Sequence, residues 1–200
     1  MKIIRDFESP VYDEFNRALG NCFTVIDGNS KYFFEFYVKG MEAEFKCDKL
    51  SLINDVIQEF RKYSGYVNVF YNKDRSFYKA FDEVFTFKLP ISVIQPSKFF
   101  INEERLEKIS SILENKEVYI PVAIINDEYV ALDGHTRIMA KINEDCKMVN
   151  VYMSPYVTQA TDDMVYMAKE NNIHNVKSMQ VLKADEYNQI MSQLEAQFNY

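Results

Sequence analysis

A mixed α/β fold of the α+β class is predicted for this chain by three observations. Residues 1 to 88 are dominated by short β-prone runs separated by turn residues, with one amphipathic stretch among them. Residues 89 to 155 read in the order helix, strand, strand, turn, helix, strand. After residue 156 the apolar positions recur at helical intervals. The expected organisation is a smaller α+β unit over 1–88, a mixed α/β domain over 89–155 and C-terminal helices over 156–200 packing on it.

Each element follows from local chemistry. Phe23 to Ile26 and Tyr32 to Val38 are β-prone runs flanking Asp27-Gly28-Asn29-Ser30, which predicts a hairpin, and Gly40 permits a second reversal into Met41 to Phe45. Ile53, Val56, Ile57 and Phe60 fall on one side of a 3.6-residue spiral that Ser64-Gly65 should end. A strand is expected over Tyr66 to Tyr71 and a short helix after Asp74, carrying Phe77, Tyr78 and Phe81. Pro90 and Pro96 punctuate the entry to the second region, so a boundary is expected near residues 86 to 92. Asn102 is a good N-cap for a helix with Glu103 and Glu104 in its first turn and Leu106, Ile109, Ile112 and Leu113 as its buried stripe. Val118 to Ile125, the turn Asn126-Asp127-Glu128 and Tyr129 to Leu132 predict a hairpin that delivers the chain to Asp133. Ile138, Met139 and Ile142 then recur with helical spacing, and Val149, Val151 and Met153 alternate like a strand. Thr161 is the expected cap of one terminal helix, and Tyr187, Ile190, Met191, Leu194 and Phe198 mark one face of another.

Composition narrows the function. With 48% hydrophobic residues in 200, the chain can bury one substantial core or two small ones. A net charge of −7 argues against a life on nucleic acid, where Lys and Arg must neutralise phosphates. Neither a secretory signal nor an apolar run long enough to span a membrane is visible, so the expected location is the cytoplasm. Cys22, Cys47 and Cys146 form no C-x-x-C pair and read as buried thiols. The 16 Phe and 14 Tyr are expected to fill strand cores.

Asp133-Gly134-His135-Thr136-Arg137 carries the chemistry. A strand that runs straight into a helix leaves the helix's first N–H groups unpaired, with the positive end of the peptide dipoles behind them. Gly134 lets a ligand approach the main chain and tolerates positive φ, while His135 and Arg137 can add donors from the same turn. Asp133 would repel a bare phosphate, so it implies a Mg²⁺ bridge, a contact to a hydroxyl or a hydrogen bond within the turn. Lys98 can face a phosphate or lie in solvent, and Asp162-Asp163 read as the negative first turn of a helix. His174 has no visible partner in the sequence and reads as a surface or internally satisfied histidine.

The string Val130-Ala131-Leu132-Asp133-Gly134-His135-Thr136-Arg137-Ile138-Met139-Ala140 resembles the ParB/sulfiredoxin superfamily, in which a strand feeds a G-x-x-R-x-x-A box at the start of a helix. Gly134, Arg137 and Ala140 match that box. Ile94-Gln95-Pro96, the Glu103-Glu104-Arg105-Leu106 helix and Val149 to Met153 look like the family's other elements in order, so the resemblance spans about a third of the chain. Sulfiredoxins place a reactive cysteine where Gly134 stands, and ParB partition proteins continue into further motifs and a helix-turn-helix region not seen after Met153. The Asp-Gly-His-x-Arg form is similar to the branch containing nucleotide-dependent free serine kinases.

That resemblance implies a nucleotide, ATP or ADP, held through its phosphates by Asp133, Gly134, His135, Thr136 and Arg137, with Mg²⁺ at Asp133 and a small hydroxyl compound as acceptor. Where the branch has a catalytic glutamate, two residues after the proline of its opening strand, this chain has Lys98. Glu103 and Glu104 are then the remaining carboxylate candidates, and Asp133 and His135 the other weak catalytic ones. The readings are a phosphotransferase or nucleotide hydrolase, a non-catalytic nucleotide-sensing or adaptor module and, as a minor option, a DNA partition-like protein.

Overall fold

The structure is a computed structural model that describes the backbone of residues 1–198 and the side chains of residues 1–194. Its class is the expected α+β. The chain divides into two compact units, residues 1–86 with Tyr152–Ser154, and Phe87–Val151 with 155–200.

The first unit contains β1 (Lys2–Arg5), α1 (Glu14–Leu19), β2 (Cys22–Asp27), β3 (Ser30–Lys39), β4 (Glu42–Cys47), α2 (Ile53–Tyr63), β5 (Val69–Asn72) and β6 (Phe77–Ala80). Its six strands lie in sequence order in one sheet. Neighbours are antiparallel except β4 and β5, which run parallel because α2 carries the chain between them. Antiparallel partners share a face, so Phe23 opposite Phe34 sets one apolar side of the sheet. Onto it α2 lays Ile53, Val56, Ile57 and Phe60, all fully buried, with the Phe60 ring stacked 4.3 Å from Phe36. Phe23, Phe34, Phe36, Phe45, Phe60 and Phe70 fill this core as expected, while Phe7, Phe15, Tyr37, Phe77 and Phe85 are exposed.

Several features of this unit differ from expectation: β1 was not foreseen, and the strand expected over Tyr66 to Tyr71 runs over Val69–Asn72. The short helix after Asp74 is instead the strand β6: Asp74 accepts from both Ser76 N and Oγ, and Arg75 sits at φ 63°, so a tight turn reverses the chain into a hairpin with β5. Phe77, Tyr78 and Phe81 therefore alternate across a strand and its end instead of following a helix. The unexpected helix α1 is capped by Asp13, which accepts from Asn16 N, and ended by Gly20 at φ 74°.

The second unit, apart from Thr86 and the Tyr152–Met153 end of β12, contains β7 (Thr86–Pro90), β8 (Ile94–Pro96), β9 (Phe100–Asn102), α3 (Glu103–Leu113), β10 (Tyr119–Ile125), β11 (Glu128–Ala131), α4 (His135–Asn143), β12 (Met148–Met153), α5 (Gln159–Glu170), β13 (Gln180–Leu182) and α6 (Ala184–Phe198). Its main sheet has the order β7-β12-β10-β11-β8, and β13 pairs in parallel with β9. Asn102 caps α3 as expected, accepting from Arg105 N at 2.9 Å. The β10–β11 hairpin turns on Asn126 and Asp127, both at positive φ, which matches the right-handed twist of the strands it joins. The cap of α5 is Thr158, three residues before the expected Thr161, and the two threonines hold each other's backbone N–H in a capping box. On α6 the half-buried residues include Tyr187, Ile190, Met191 and Leu194, so the expected face is present; the side chain of Phe198 lies outside the described residues. Cys22 is buried, while Cys47 and Cys146 are only partly so.

One pairing positions the site. β8 runs parallel to β11, with Ile94 beside Tyr129 and Pro96 beside Ala131. Parallel strands end at the same edge, so the loop that begins at Ser97 and the turn that begins at Leu132 emerge side by side.

Candidate functional site

The turn between β11 and α4 is built tightly. Leu132 N donates to Pro121 O at 2.9 Å, which keeps the chain on β10 for one residue past the strand. Gly134 then adopts φ 81°, a conformation that strains any side chain. There is also no room for one, since a Cβ would lie 2.9 Å from Ile120 Cδ1 and 3.1 Å from Arg137 Nε. The first intrahelical bond of α4 runs from Ile138 N to Gly134 O. The N–H groups of His135, Thr136 and Arg137 precede it, and no side chain caps the helix at Gly134. Side chains do cap α1, α3 and α5, through Asp13, Asn102 and Thr158.

His135 is 3% exposed. Its Nε2 accepts from Ser97 N at 3.0 Å, while Ser97 Oγ donates to Ala131 O at 2.7 Å. An accepting Nε2 leaves the ring proton on Nδ1 in the neutral tautomer. Burial pushes the imidazole down to about 3, and the positive charges of Lys98 and Arg137 act in the same direction against Asp133. The expectation that His135 donates to a phosphate is therefore corrected. The ring is a neutral internal acceptor that ties the loop after β8 to the turn, and a base this weak and enclosed is not placed for proton transfer.

Arg137 also differs from a phosphate grip. Its Nη1 donates to Tyr119 O at 3.0 Å and its Nη2 to Asp133 Oδ2 at 3.1 Å. The two side chains of this ion pair are 11% and 15% exposed. Of the roles open to Asp133, the structure shows an ion pair within the turn, and Arg137 is a strut between β10 and the turn.

The Ser97–His135 bond brings the half-buried Lys98 to the same place, close enough for its charge to act on the imidazole. Thr136 is half-buried at the start of α4. Lys98, Asp133, Gly134, His135, Thr136 and Arg137 thus lie together. Glu103 and Glu104 are exposed at the start of α3, where Glu104 pairs with Lys108 at 2.9 Å one turn on. Their place suits the helix dipole, as Asp162 does in the first turn of α5. His174 is exposed.

The donors do not suit Mg²⁺. A magnesium ion at a nucleotide takes one or two carboxylates beside water and phosphate oxygens, and the turn's carboxylate is already held by a guanidinium. Among the described residues no three His, Cys, Asp or Glu side chains gather in a way that would hold a metal. An anion suits the start of a helix better, because amide N–H groups and the helix dipole favour negative charge there.

Two contributors went unnoticed in the sequence. Ser97 follows Pro96 with no motif of its own, and only the β8–β11 pairing reveals it. Lys141 is buried on α4, with Nζ donating to Leu113 O at 2.8 Å and to Glu144 Oε2 at 2.7 Å, so it ties α4 to the carbonyl end of α3. A lysine on the apolar side of a helix was the available signal.

No family model matches the chain, and no curated protein matches it. Solved structures give partial likenesses. Protein Atu1540 from Agrobacterium tumefaciens is 12% identical at a TM-score of 0.37, over 48% of this chain and 62% of that one. The C-terminally truncated chromosome-partitioning protein ParB from Caulobacter crescentus, complexed with CTP-gamma-S, is 22% identical at a TM-score of 0.33, over 44% of this chain and 52% of that one. The matched part is less than two thirds of either protein's length. Among the described residues no helix is long and apolar enough to cross a membrane.

Proposed function

We propose that the second unit is a nucleotide-binding module that recognises phosphate at the start of α4 and does not turn its ligand over. The observation that carries this reading is the helix start itself, glycine-led and without a side-chain cap, with the loop of Ser97 and Lys98 tied to it by the Ser97–His135 bond. The N–H groups of His135, Thr136 and Arg137 would meet the phosphate oxygens, the Thr136 hydroxyl and the Lys98 ammonium would complete the shell, and Asp133 and Arg137 would keep the turn in shape. The resemblance of the 130–140 string to the ParB/sulfiredoxin box agrees with a nucleotide as the source of the phosphate.

Catalysis has less support. Lys98 stands where the kinase branch has its glutamate, Asp133 is committed to Arg137, and His135 is buried and neutral. A phosphotransferase remains the alternative, favoured by the kinase-like form of the turn. Melting the full chain against ATP, ADP and CTP, with serine as a trial acceptor, separates these readings. The module reading expects a nucleotide to raise the melting temperature as RT ln(1 + [L]/Kd) requires, without product. Product formation that depends on Lys98 or Asp133 would favour the enzyme, and no shift with any nucleotide would remove both.

A further inference from the structure

In the first unit, Thr24 and Glu35 alternate along their strands with Phe23, Phe34 and Phe36, so they belong to the sheet face turned away from α2. The segment between β1 and β2 is braced against that face. Thr24 Oγ1 donates to Asp6 Oδ2 at 2.7 Å, the buried Tyr12 donates its hydroxyl to Phe23 O, and Asp13 N donates to Glu35 Oε1 at 3.0 Å. Arg17 Nη1 closes the loop by donating to Glu8 O and Ser9 O. Inside this brace the side chains are sorted against their polarity. Asn16 is 7% exposed, and its Nδ2 has no hydrogen-bond partner among the described residues, whereas Val11 and Phe15 are each 54% exposed. Tyr37, 44% exposed, donates to Glu35 Oε2 at 2.8 Å, so its hydroxyl and the amide of Asp13 share one carboxylate. Val11 and Phe15 stand two residues to either side of Asp13, in the same neighbourhood. Burying an amide while exposing a phenyl ring costs stability. Such a local inconsistency marks a surface kept for contact.

Charge identifies the kind of partner. From Arg5 to Arg17 the chain has four carboxylates, those of Asp6, Glu8, Asp13 and Glu14, and Glu35 adds a fifth from the sheet. Three cations accompany them: Arg5, Arg17 and Lys46, the last opposite Glu35 on β4. Arg5 and Arg17 hold backbone, Arg5 Nε donating to Gly20 O at 2.7 Å and Arg17 to the two loop carbonyls. Glu8 and Asp13 are exposed on either side of Val11. We propose that residues 8–15, with Tyr37, form a docking surface for a basic and partly apolar segment of a partner protein. Lysine or arginine side chains of that segment pair with Glu8 and Asp13 and lie over the rings of Phe15 and Tyr37, while its apolar side chains cover Val11. The same negative balance turns away nucleic acid and anionic lipid.

Fluorescence anisotropy tests this with three labelled peptides of equal length, built from Lys and Leu, from Glu and Leu, and from Lys and Ser, each titrated with the full chain at low and at high salt. The Lys–Leu peptide is expected to bind and to weaken with salt, and the other two to bind at least about tenfold more weakly. Replacing Val11 and Phe15 together by Ser should weaken the Lys–Leu peptide by about tenfold, and Glu8→Lys should weaken it as well. The melting temperature should stay at the parent value, because all three side chains are exposed. Glu8→Lys carries the comparison if the double substitution melts below the parent protein. The proposal is overturned if the Lys–Leu peptide does not bind, if it binds parent and variants equally, or if either of the other peptides binds as tightly. Concentration-dependent dimerisation of the parent that the double substitution abolishes would also overturn it, since the surface would then serve a second copy of this chain.

Discussion

His135 looked in the sequence like a ligand group, and its position inside the protein gives it a different task. A buried imidazole pushed down to about 3 is neutral in the folded protein, whereas the unfolded chain takes up its proton near 6.5. Between those values the unfolded state binds more protons, so this residue's contribution to stability is fully present above about 6.5 and is lost as pH falls toward 3. Urea unfolding measured across that window should show the parent protein losing up to about 1.4 kcal/mol per pH unit more than His135→Gln, which keeps an acceptor for Ser97 N but does not titrate. Parallel pH profiles for the two proteins would mean that the ring protonates in place and is not the enclosed acceptor described above. The motif named this histidine correctly as part of the turn. Its role was hidden because its partner, Ser97, is 38 residues away and is joined to it only through the parallel pairing of β8 and β11.

At the scale of elements, Arg137 couples α4 to β10 through Tyr119 O and braces the turn through Asp133. Removing it leaves a largely buried carboxylate and a carbonyl without their donor, so Arg137→Ala should lower the stability of the ligand-free chain by about 3 kcal/mol. The check is chemical denaturation with no nucleotide present. A variant as stable as the parent would mean that Arg137 reaches into solvent as a ligand group and is not a strut. How much of the elements was legible follows the range of the forces that set them. Helix α2 was readable because Ile53, Val56, Ile57 and Phe60 repeat at helical spacing, and α3 because Asn102 announces its start. β6 was misread because Phe77, Tyr78 and Phe81 also fit a helical spacing, and the decisive Asp74–Ser76 turn competes locally with that pattern. β9 and β13 are three residues each and pair across a long stretch of sequence, so no local periodicity could show them.

At the scale of the whole molecule, the acidic balance and the local chemistry of the turn point in different directions. The chain carries −7 overall, yet the positive groups of Lys98 and Arg137 act on the buried His135 at the start of a helix. On the proposed reading such a place would take a small anion without making the whole surface attractive to nucleic acid. The first unit has its own aromatic core around α2 and its own sheet, so its contribution is sought separately from the turn between β11 and α4. The central claim concerns particular amide groups, and it is met most directly by ¹H–¹⁵N spectra of the labelled full chain titrated with ADP in EDTA. The largest shifts are expected at the amides of Gly134, His135, Thr136 and Arg137 and in the loop at Lys98. Saturable shifts confined to other parts of the chain, with residues 134 to 137 unmoved, would contradict it.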